Sequence, residues 1–274
     1  MSAALEFSHK TVLVTGAGTG IGFACAREFA LAGATVTLMG HLAEQIEPAV
    51  ERLRSQVDPQ RIRAAIGDVT VEADVARAVQ IAGNDGHLDI AIANAGSAAP
   101  GPLLLLEASH WQYASTLNIT GTALTIKHAA LAMKSHGGRI VTISSAAATK
   151  VAKWMATYSA TKAAVEMLTR CAAVELAPFR INVNCISPGW IKTESTTMFS
   201  PGLTEQVTHH TLQGDGAQPK VIADGAMYLC GERGAFVTGE VLGIGGGMHV
   251  SAGEDFVDLV KMMYGDEAIA ACGG

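Results

Sequence analysis

Two side chains that could transfer a proton lie four residues apart, at Tyr158 and Lys162. On a helix this spacing places them one above the other on a single face. A free phenol titrates near pH 10 and is a poor acid or base at neutral pH. An ammonium about 5 Å away, at an effective dielectric constant of about 20, favours the phenolate by roughly 3 kcal/mol. The pair is therefore a candidate general acid–base, although the spacing alone is suggestive and not decisive.

Two hydroxyl groups lie upstream of this pair, at Ser144 and Ser145. They follow an apolar, β-branched run, RIVTI, that is typical of a buried strand. In an open α/β sheet, ligands bind beyond the carboxyl ends of the strands, so both hydroxyls are predicted to face the same site as Tyr158. A serine there could hydrogen-bond a substrate oxygen. The alternative is that the serines only satisfy backbone groups at the strand end.

A glycine-rich turn, T-G-A-G-T-G-I-G at residues 15–22, follows the first apolar run of the chain. Glycine permits a tight turn and a close approach to a pyrophosphate, which would lie at the positive end of the next helix. The spacing departs from G-x-G-x-x-G because Ile21 takes the third glycine position, so Gly16, Gly20 and Gly22 are the candidates. A turn that binds nothing is the alternative, and the position after a first strand disfavours it.

Apolar runs alternate along the chain with segments of helical period. The predicted strands cover 11–15, 35–39, 62–66, 88–93, 139–144, 181–186 and 240–244, and the predicted helices cover 21–32, 42–56, 72–82, 109–135 (long or broken), 157–177 and 219–230. This alternation predicts an α/β fold, a single-domain doubly wound parallel sheet of Rossmann-like type with helices on both faces. No linker or internal repeat interrupts it, so residues 1–274 are predicted to form one domain.

The composition argues against several classes of function. Of the 274 residues 49% are hydrophobic and 16% are charged, which is typical of a folded chain. The formal net charge is −6 and no Lys/Arg block occurs, so we expect no nucleic-acid partner. Five scattered cysteines indicate buried free thiols, with no disulfide framework and no metal site. The apolar runs are too short for a membrane span and the first residues lack a signal-peptide pattern, so a cytoplasmic protein is expected.

Together these residues resemble the short-chain dehydrogenase/reductase family, in its group with TGxxxGxG and YxxxK motifs. The resemblance covers residues 10–250 and rests on seven motifs in the family's order: residues 15–22, Asp68-Val69, Asn94-Ala95-Gly96, Asn118, Ser145, Y-S-A-T-K at 158–162 and P-G-W-I-K-T at 188–193. It implies an NAD(P)-dependent oxidoreductase that interconverts a secondary alcohol and a ketone. The alternatives are a non-catalytic dinucleotide-binding scaffold, and an isomerase or lyase that uses the same site.

The resemblance implies a catalytic role for four residues. Ser145 would orient and polarise the substrate oxygen, and Tyr158 would exchange a proton with that oxygen. Lys162 would bind the nicotinamide ribose and favour the phenolate. Asn118 would hold a water that links Lys162 to solvent.

The resemblance also implies a set of cofactor-binding residues. Asp68 would receive the adenine amino group with Val69 beside the ring, although Asp68 as a helix-start acid is the alternative. Pro188 and Gly189 would turn the chain around the nicotinamide, and Ile191 and Thr193 would hold its carboxamide. The remaining members are Gly16, Thr19, Gly20, Ile21, Gly22, Gly40, His41, Asn94, Ala95, Gly96, Tyr158 and Lys162. In the family an Asn usually precedes the motif at 94–96, and this chain has Ala93 in its place.

The choice between NAD and NADP depends on the end of the second predicted strand. NAD-specific relatives carry an acid there that binds the ribose hydroxyls. This chain has Gly40 and then His41, so nothing repels a 2′-phosphate and His41 offers a partial cationic partner. Thr19 supplies no positive charge. NADP(H) is therefore favoured over NAD(H).

Two segments do not fit the alternation of strands and helices. Residues 192–218 match the position of the family's substrate lid. Their apolar content, with Trp154, Met155 and Trp190 nearby in sequence, favours a hydrophobic alcohol or ketone, although core packing would explain these residues equally well. The tail at 251–274 has an apolar stripe at helical spacing and is predicted to cover its own subunit or a neighbour.

Gly245 replaces an Asp common in the family, so a contact there is predicted to be missing. The family's usual pairing through helices equivalent to 109–135 and 157–177 implies a homotetramer, or a homodimer.

Overall fold

A seven-stranded sheet forms the centre of the protein. The computed structural model describes residues 6–83, 86–197, 211–250 and 256–271. All strands are parallel, in the order β3-β2-β1-β4-β5-β6-β7. They are β1 (Thr11–Thr15), β2 (Thr35–Gly40), β3 (Ile62–Ile66), β4 (Ile90–Ala93), β5 (Gly138–Ile143), β6 (Ile181–Pro188) and β7 (Val241–Ile244). The predicted doubly wound fold is confirmed.

Helices connect the strands and cover both faces of the sheet. They are α1 (Gly20–Leu31), α2 (Ala43–Arg54), α3 (Glu72–Ala82), α4 (Ala108–Ser115), α5 (Gly121–Met133), α6 (Ala156–Leu176), α7 (Glu194–Thr197), α8 (Lys220–Cys230), α9 (Val257–Tyr264) and α10 (Asp266–Ala271). The segment predicted as one long or broken helix over 109–135 is α4 and α5, joined by a π-helical turn over Thr116–Thr120. This turn contains Asn118.

Two apolar layers, one on each face of the sheet, hold the helices in place. Successive residues of a strand point to opposite faces, so a strand covered on both sides must be apolar throughout. In β1, Val12 and Val14 pack in the layer that contains Phe29 of α1, whereas Leu13 packs in the opposite layer with Ile126 of α5. Fully burying a side chain of this size contributes about 1.5–3 kcal/mol.

Five strands differ from their predicted bounds by one or two residues, and the two larger differences, at β4 and β6, have identifiable reasons. β4 begins at Ile90 and not at residue 88, because the backbone N–H of Thr11 bonds the Asp89 carboxylate at 2.9 Å in place of a neighbouring backbone carbonyl. β6 extends two residues beyond the predicted end, because Ser187 and Pro188 still pair with Gly243 and Ile244 of β7. The extension brings Pro188 to the carboxyl edge of the sheet.

The two segments outside the alternation are described in part. Residues 198–210 of the predicted lid and residues 251–255 and 272–274 of the tail lie outside the described residues. The lid begins with α7, and its far end is joined to its start by a parallel bridge between Ile191 and Ala217. The tail forms α9 and α10, as its helical spacing predicts, with Met262 and Met263 exposed.

Candidate active site

Lys162 and Tyr158 lie on the first turns of α6, next to the carboxyl end of β5. Lys162 is 5% exposed, and its Nζ donates a hydrogen bond of 2.8 Å to the carbonyl oxygen of Ile143. The same Nζ lies 5.6 Å from the centroid of the Tyr158 ring. The four-residue spacing therefore brings a buried amine beside the phenol. The bond to the last residue of β5 fixes the amine at the edge of the sheet where ligands bind in open α/β folds.

Asn118 joins three elements around that lysine. It lies in the π-helical turn, a local irregularity that is frequent at functional sites. Its Oδ1 accepts a hydrogen bond from the backbone N–H of Ser97 at 2.9 Å, and its Nδ2 donates to the Ser97 carbonyl and to Thr161 Oγ1 at 3.0 and 2.9 Å. The buried amide thus attaches the loop after β4 to α6, one residue before Lys162. Sequence reasoning gave no role to Ser97, which lies just after the 94–96 motif, or to Thr161, which lies within the 158–162 motif.

Gly96 makes this close packing possible. A Cβ atom at Gly96 would lie 2.8 Å from Asn118 Oδ1 and 3.3 Å from Lys162 Nζ. Because any side chain there would displace one or both groups, the absence of a side chain is required by the site itself. Gly96 was predicted as a cofactor-binding residue, and it also packs against Asn118 and Lys162.

The two serines after β5 face different surroundings. Ser145 begins a 3-10 turn over Ala146–Ala148, and its Oγ accepts a hydrogen bond of 3.2 Å from the Ala147 N–H. Ser144 Oγ lies 3.0 Å from the Lys162 carbonyl oxygen and 3.0 Å from Glu166 Oε1, both on α6. The prediction that both hydroxyls face the site is therefore wrong for Ser144, which attaches β5 to α6. The reason is strand alternation, which directs residues 142 and 144 toward α6.

The glycine turn after β1 has the geometry that a phosphate site requires. Gly16 has φ of +62°, which L side chains rarely adopt. A Cβ atom at Gly22 would lie 2.1 Å from the Gly16 carbonyl oxygen, so the first turn of α1 packs directly on the glycine turn. Thr19, the N-cap of α1, caps no N–H group with its side chain, and the first turn of α1 contains no acidic residue. The positive end of this helix, with Ile21 in its first turn, is therefore suited to an anion.

Asn94 holds the glycine turn in place. Its Nδ2 donates to the carbonyl oxygens of Thr15 and Gly16 at 3.0 and 3.1 Å. Thr15 Oγ1 in turn accepts from the backbone N–H groups of Asn94 and Ala95, both at 3.1 Å. The predicted cofactor residues Asn94 and Ala95 thus connect β4 to β1, and Thr15 is a partner that sequence reasoning missed.

On the adenosine side of the predicted site, the side chains have local partners. Asp68 Oδ1 accepts from the N–H and the hydroxyl of Thr70, both at 2.8 Å, in a turn that precedes α3. This local role agrees with the alternative in which Asp68 organises the start of a helix. Val69 is buried against Gly121 of α5. At the end of β2, Gly40 is followed by the exposed His41, and a Cβ at Gly40 would lie 2.8 Å from Ile46 Cδ1.

The turn after β6 is braced by β7 and the residues that follow it. Gly189 N–H donates to the Ile244 carbonyl oxygen at 2.9 Å, and a Cβ at Gly189 would lie 2.5 Å from Gly245 Cα. His249 Nε2 lies 3.1 Å from Ser187 Oγ, and its ring fills the space beside Gly245. A contact at this position was predicted to be missing because Gly245 replaces an acid. His249, four residues further on, supplies a contact there, and no motif marked it.

Ile191 and Thr193 continue this turn toward α7. Ile191 is buried, and its carbonyl oxygen accepts a hydrogen bond of 2.9 Å from Thr196 Oγ1. The Thr193 hydroxyl lies 3.3 Å from Thr196 Oγ1. Both predicted carboxamide-binding residues therefore lie in one compact turn at the start of the lid.

An apolar cavity of about 490 Å³ lies beside the site, and its lining includes Leu103, Ala147, Ala148, Val151 and Trp154. Neither Ser145 nor Tyr158 lines it. Trp190 lies elsewhere, against Gly216 at the end of the lid. The tryptophans that were predicted near one pocket therefore occupy two separate places.

The thiols and possible metal ligands make no further site in the described part of the chain. Burial raises the pKa of the Cys185 thiol in β6, which disfavours its nucleophilic thiolate form. Cys25 and Cys230 are also buried, but the prediction of buried thiols is wrong for Cys171, which is exposed on α6. Within residues 6–83, 86–197, 211–250 and 256–271, no three His, Cys, Asp or Glu side chains group as metal ligands. Over the same residues, no helix has the length and apolar character needed to cross a membrane.

Most of the chain is similar to a known protein family, to curated relatives and to solved structures. A family model described as enoyl-(acyl carrier protein) reductase matches residues 16–249. A cis-4-hydroxycyclohexanecarboxylate dehydrogenase of Sinomonas cyclohexanicum is 35% identical over 244 residues, which are 88% of this chain and 97% of that protein. The structure of a short-chain type dehydrogenase/reductase from Mycobacterium ulcerans is 33% identical with a TM-score of 0.86, covering 97% of this chain and 99% of that one. A 7α-hydroxysteroid dehydrogenase in complex with NADH and 7-oxo glycochenodeoxycholic acid is 31% identical with a TM-score of 0.82, covering 89% and 96%.

Proposed function

This chain belongs to the short-chain dehydrogenase/reductase family of NAD(P)-dependent oxidoreductases, and from that premise we propose that it interconverts a secondary alcohol and a ketone with Tyr158 as general acid–base. One observation carries the proposal. The buried Lys162 Nζ, bonded to Ile143 at 2.8 Å, lies 5.6 Å from the Tyr158 ring at the carboxyl edge of the sheet. An amine held beside a phenol places a positive charge where negative charge develops on the phenol oxygen during proton transfer, which suits a general acid–base.

Each residue of the site has a defined task in this reaction. In the oxidation direction the Tyr158 oxygen takes the hydroxyl proton of the alcohol, and in reduction it returns a proton to the carbonyl oxygen. Ser145 Oγ donates a hydrogen bond to the same substrate oxygen and so holds it against Tyr158. Lys162 Nζ stabilises the phenoxide and is positioned by Ile143, Asn118 and Gly96.

The dinucleotide would be held by the elements that surround this group. Its pyrophosphate fits the N-terminus of α1, where Gly16 and Gly22 keep the backbone free of side chains. Lys162 would hold the nicotinamide ribose, and Ile191 and Thr193 the carboxamide. The bound nicotinamide supplies or accepts the hydride. We further assign NADP(H), because Gly40 and His41 place no carboxylate where a 2′-phosphate would lie.

The proposed substrate is a hydrophobic cyclic alcohol or ketone. The Sinomonas relative is named for a hydroxycyclohexane carboxylate, and the hydroxysteroid dehydrogenase was solved with a 7-oxo bile acid conjugate. Both names describe an oxygen on a saturated ring. In this chain the alanines after Ser145 and the apolar residues in the lid sequence are compatible with such a ring.

The experiment that tests the function combines a cofactor titration, a substrate panel and one variant. Purified protein is titrated with NADH and with NADPH, and cyclic secondary alcohols and ketones are then assayed by the absorbance of the reduced nicotinamide. We expect tighter binding of NADPH and turnover of ring substrates. Tyr158→Phe should lower kcat by about 10²- to 10⁴-fold, because it removes the proton-transfer group.

Tyr113→Phe is the matched control. It removes the same hydroxyl group from a tyrosine that is 56% exposed on α4 and is not among the predicted catalytic or cofactor-binding residues. The dissociation constant for the dinucleotide should change little in either variant. Full activity of Tyr158→Phe would refute the assignment of the acid–base, and the absence of any absorbance change with every substrate would refute the reaction class.

A homotetramer is the proposed assembly. The outer faces of α5 and α6 carry exposed apolar side chains, Leu131 at 53%, Met167 at 56% and Val174 at 77% exposure. Apolar faces of this kind favour association with a second copy. Light scattering on the protein eluted from a size-exclusion column measures the mass. A dimer at micromolar concentration would refute the tetramer, and a monomer would also refute the association through these faces.

A further inference from the structure

The N-terminus of α1 is capped by a residue from a distant part of the chain. The backbone N–H of Gly20, the first residue of α1, donates a hydrogen bond of 3.0 Å to Oε2 of Glu194. Helix α1 supplies no cap of its own, since Thr19 makes no side-chain cap and the first turn contains no acid. Glu194 is therefore the anion that the positive end of this helix receives.

The contact is close because Gly20 has no side chain. A Cβ atom at Gly20 would lie 3.2 Å from Thr193 Cγ2 and 3.8 Å from Glu194 Oε2. The start of α7 therefore rests directly on the glycine turn, in the space over the first free N–H groups of α1. The proposed function assigns this same space to the pyrophosphate of the dinucleotide.

We infer that Glu194 is a substitute anion at the pyrophosphate site, which the dinucleotide must displace when it binds. The inference rests on the proposed function, because it assumes that a dinucleotide binds at α1. A carboxylate and a pyrophosphate cannot share one helix N-terminus, since both need the same N–H groups and their charges repel. Glu194 thus weakens dinucleotide binding and stabilises the protein when no dinucleotide is bound.

Displacement of Glu194 also changes the start of the lid. Thr193, next to Glu194, donates its N–H to Thr196 Oγ1 at 2.7 Å, and its hydroxyl lies 3.3 Å from the same oxygen. Thr196 Oγ1 is in turn bonded to the Ile191 carbonyl oxygen. Movement of Glu194 away from Gly20 therefore acts on the turn whose Thr193 is proposed to hold the carboxamide. Binding of the pyrophosphate and ordering of the carboxamide site are coupled through one residue.

The test compares Glu194→Gln with a control of equal charge change. Glu232→Gln is the control, because Glu232 is exposed in a 3-10 turn after α8. The neighbouring Gly231 lies against Glu6, and the next residue, Phe7, bonds Ala32 at the C-terminal end of α1, so the control is at the opposite end of that helix from Gly20. Isothermal titration calorimetry measures the dissociation constants of NADH, NADPH and ADP-ribose for the three proteins. Differential scanning calorimetry measures Tm with and without ADP-ribose.

Glu194→Gln should bind all three ligands about 2- to 5-fold more tightly than the wild type, the range expected for one anion at an exposed helix N-terminus. Its Tm without ligand should fall, and its Tm increase on adding ADP-ribose should be larger. Glu232→Gln should match the wild type in both measurements. A residue that only stabilises the fold should not give this combination of a lower Tm without ligand and tighter binding of the ligand.

Several results would overturn the inference. Unchanged or weaker binding by Glu194→Gln would show that the carboxylate does not compete with the ligand. A gain for NADH and NADPH but not for ADP-ribose would place the effect on the nicotinamide and not on the pyrophosphate. If the wild type and both variants bind none of the three ligands, the proposed function itself fails, which is a distinguishable outcome.

Discussion

Replacing Gly96 with alanine tests whether the packing around Lys162 sets the catalytic geometry. The added Cβ would lie 2.8 Å from Asn118 Oδ1 and 3.3 Å from Lys162 Nζ, whereas ordinary contacts begin at 3.4 Å. Asn118 must therefore move by about 0.6 Å, and Lys162 by less. Asn118 is held by three hydrogen bonds to Ser97 and Thr161, so this shift strains the attachment of α6 as well.

The expected cost follows from these displacements. A misplacement of about 1 Å in an active site can lower the rate by about 10²-fold, so we expect kcat of Gly96→Ala to fall by about 10- to 100-fold. Weakening hydrogen bonds worth about 1 kcal/mol should lower Tm by about 2–4 °C. Steady-state kinetics with the best substrate of the panel and differential scanning calorimetry measure the two effects.

Gly83→Ala is the matched control for this substitution. Gly83 ends α3 with φ of −66°, and a Cβ atom there would meet its nearest neighbours at 3.4 Å. The control should keep the kcat of the wild type and a Tm at least as high, because alanine fits at this position without displacement and such a replacement stabilises a protein by about 0.4–1 kcal/mol. If Gly96→Ala retained kcat within a factor of two and its Tm were unchanged, the proposed link between the packing of Gly96 and the position of Lys162 would be refuted.

Two further predictions concern titratable groups outside the site. Burial alone would raise the pKa of Asp89, but hydrogen bonds from Thr11 and Lys10 lower it below its usual value. Asp89→Asn should therefore reduce the free energy of unfolding by about 1–2 kcal/mol at pH 7. The difference should shrink as the pH falls below about 4, where the carboxyl group of the unfolded chain takes up its proton, and should level off once the pH is below the lowered pKa of the native carboxyl group. Denaturant unfolding at several pH values measures this, and a constant difference would contradict it. Burial, with the charge of Glu28 nearby, raises the pKa of Cys25 to about 12, and burial also raises that of Cys230. Neither thiol should react with iodoacetamide at pH 8 until the protein unfolds, and mass spectrometry of the labelled peptides would show any early alkylation that contradicts this.

The architecture could be predicted from the sequence because its signals are local. The alternation of apolar runs with helical segments predicts a parallel sheet, and the turn after β1 predicts an anion site at the start of α1. The four-residue spacing predicts that Tyr158 and Lys162 share a face. These predictions depend only on backbone periodicity and on neighbours within a few residues.

The contacts that shape the site were decided by tertiary packing. Ser144 and Ser145 are adjacent and chemically identical, yet strand alternation directs Ser144 to Glu166 and leaves Ser145 at the sheet edge. The π-helical turn that contains Asn118 has no distinctive sequence pattern. The need for glycine at residue 96 follows only from the positions of Asn118 and Lys162, which come from other elements.

Contacts between residues far apart in the sequence also depended on tertiary packing. Glu194 reaches Gly20 across 174 positions of sequence, and His249 reaches Ser187 across 62. Periodicity and motif spacing determine which elements form and which strand ends lie at one edge. Which side chains then touch there depends on how those elements pack, because hydrogen bonds and steric contacts act only over a few ångströms in space, whatever the distance along the chain.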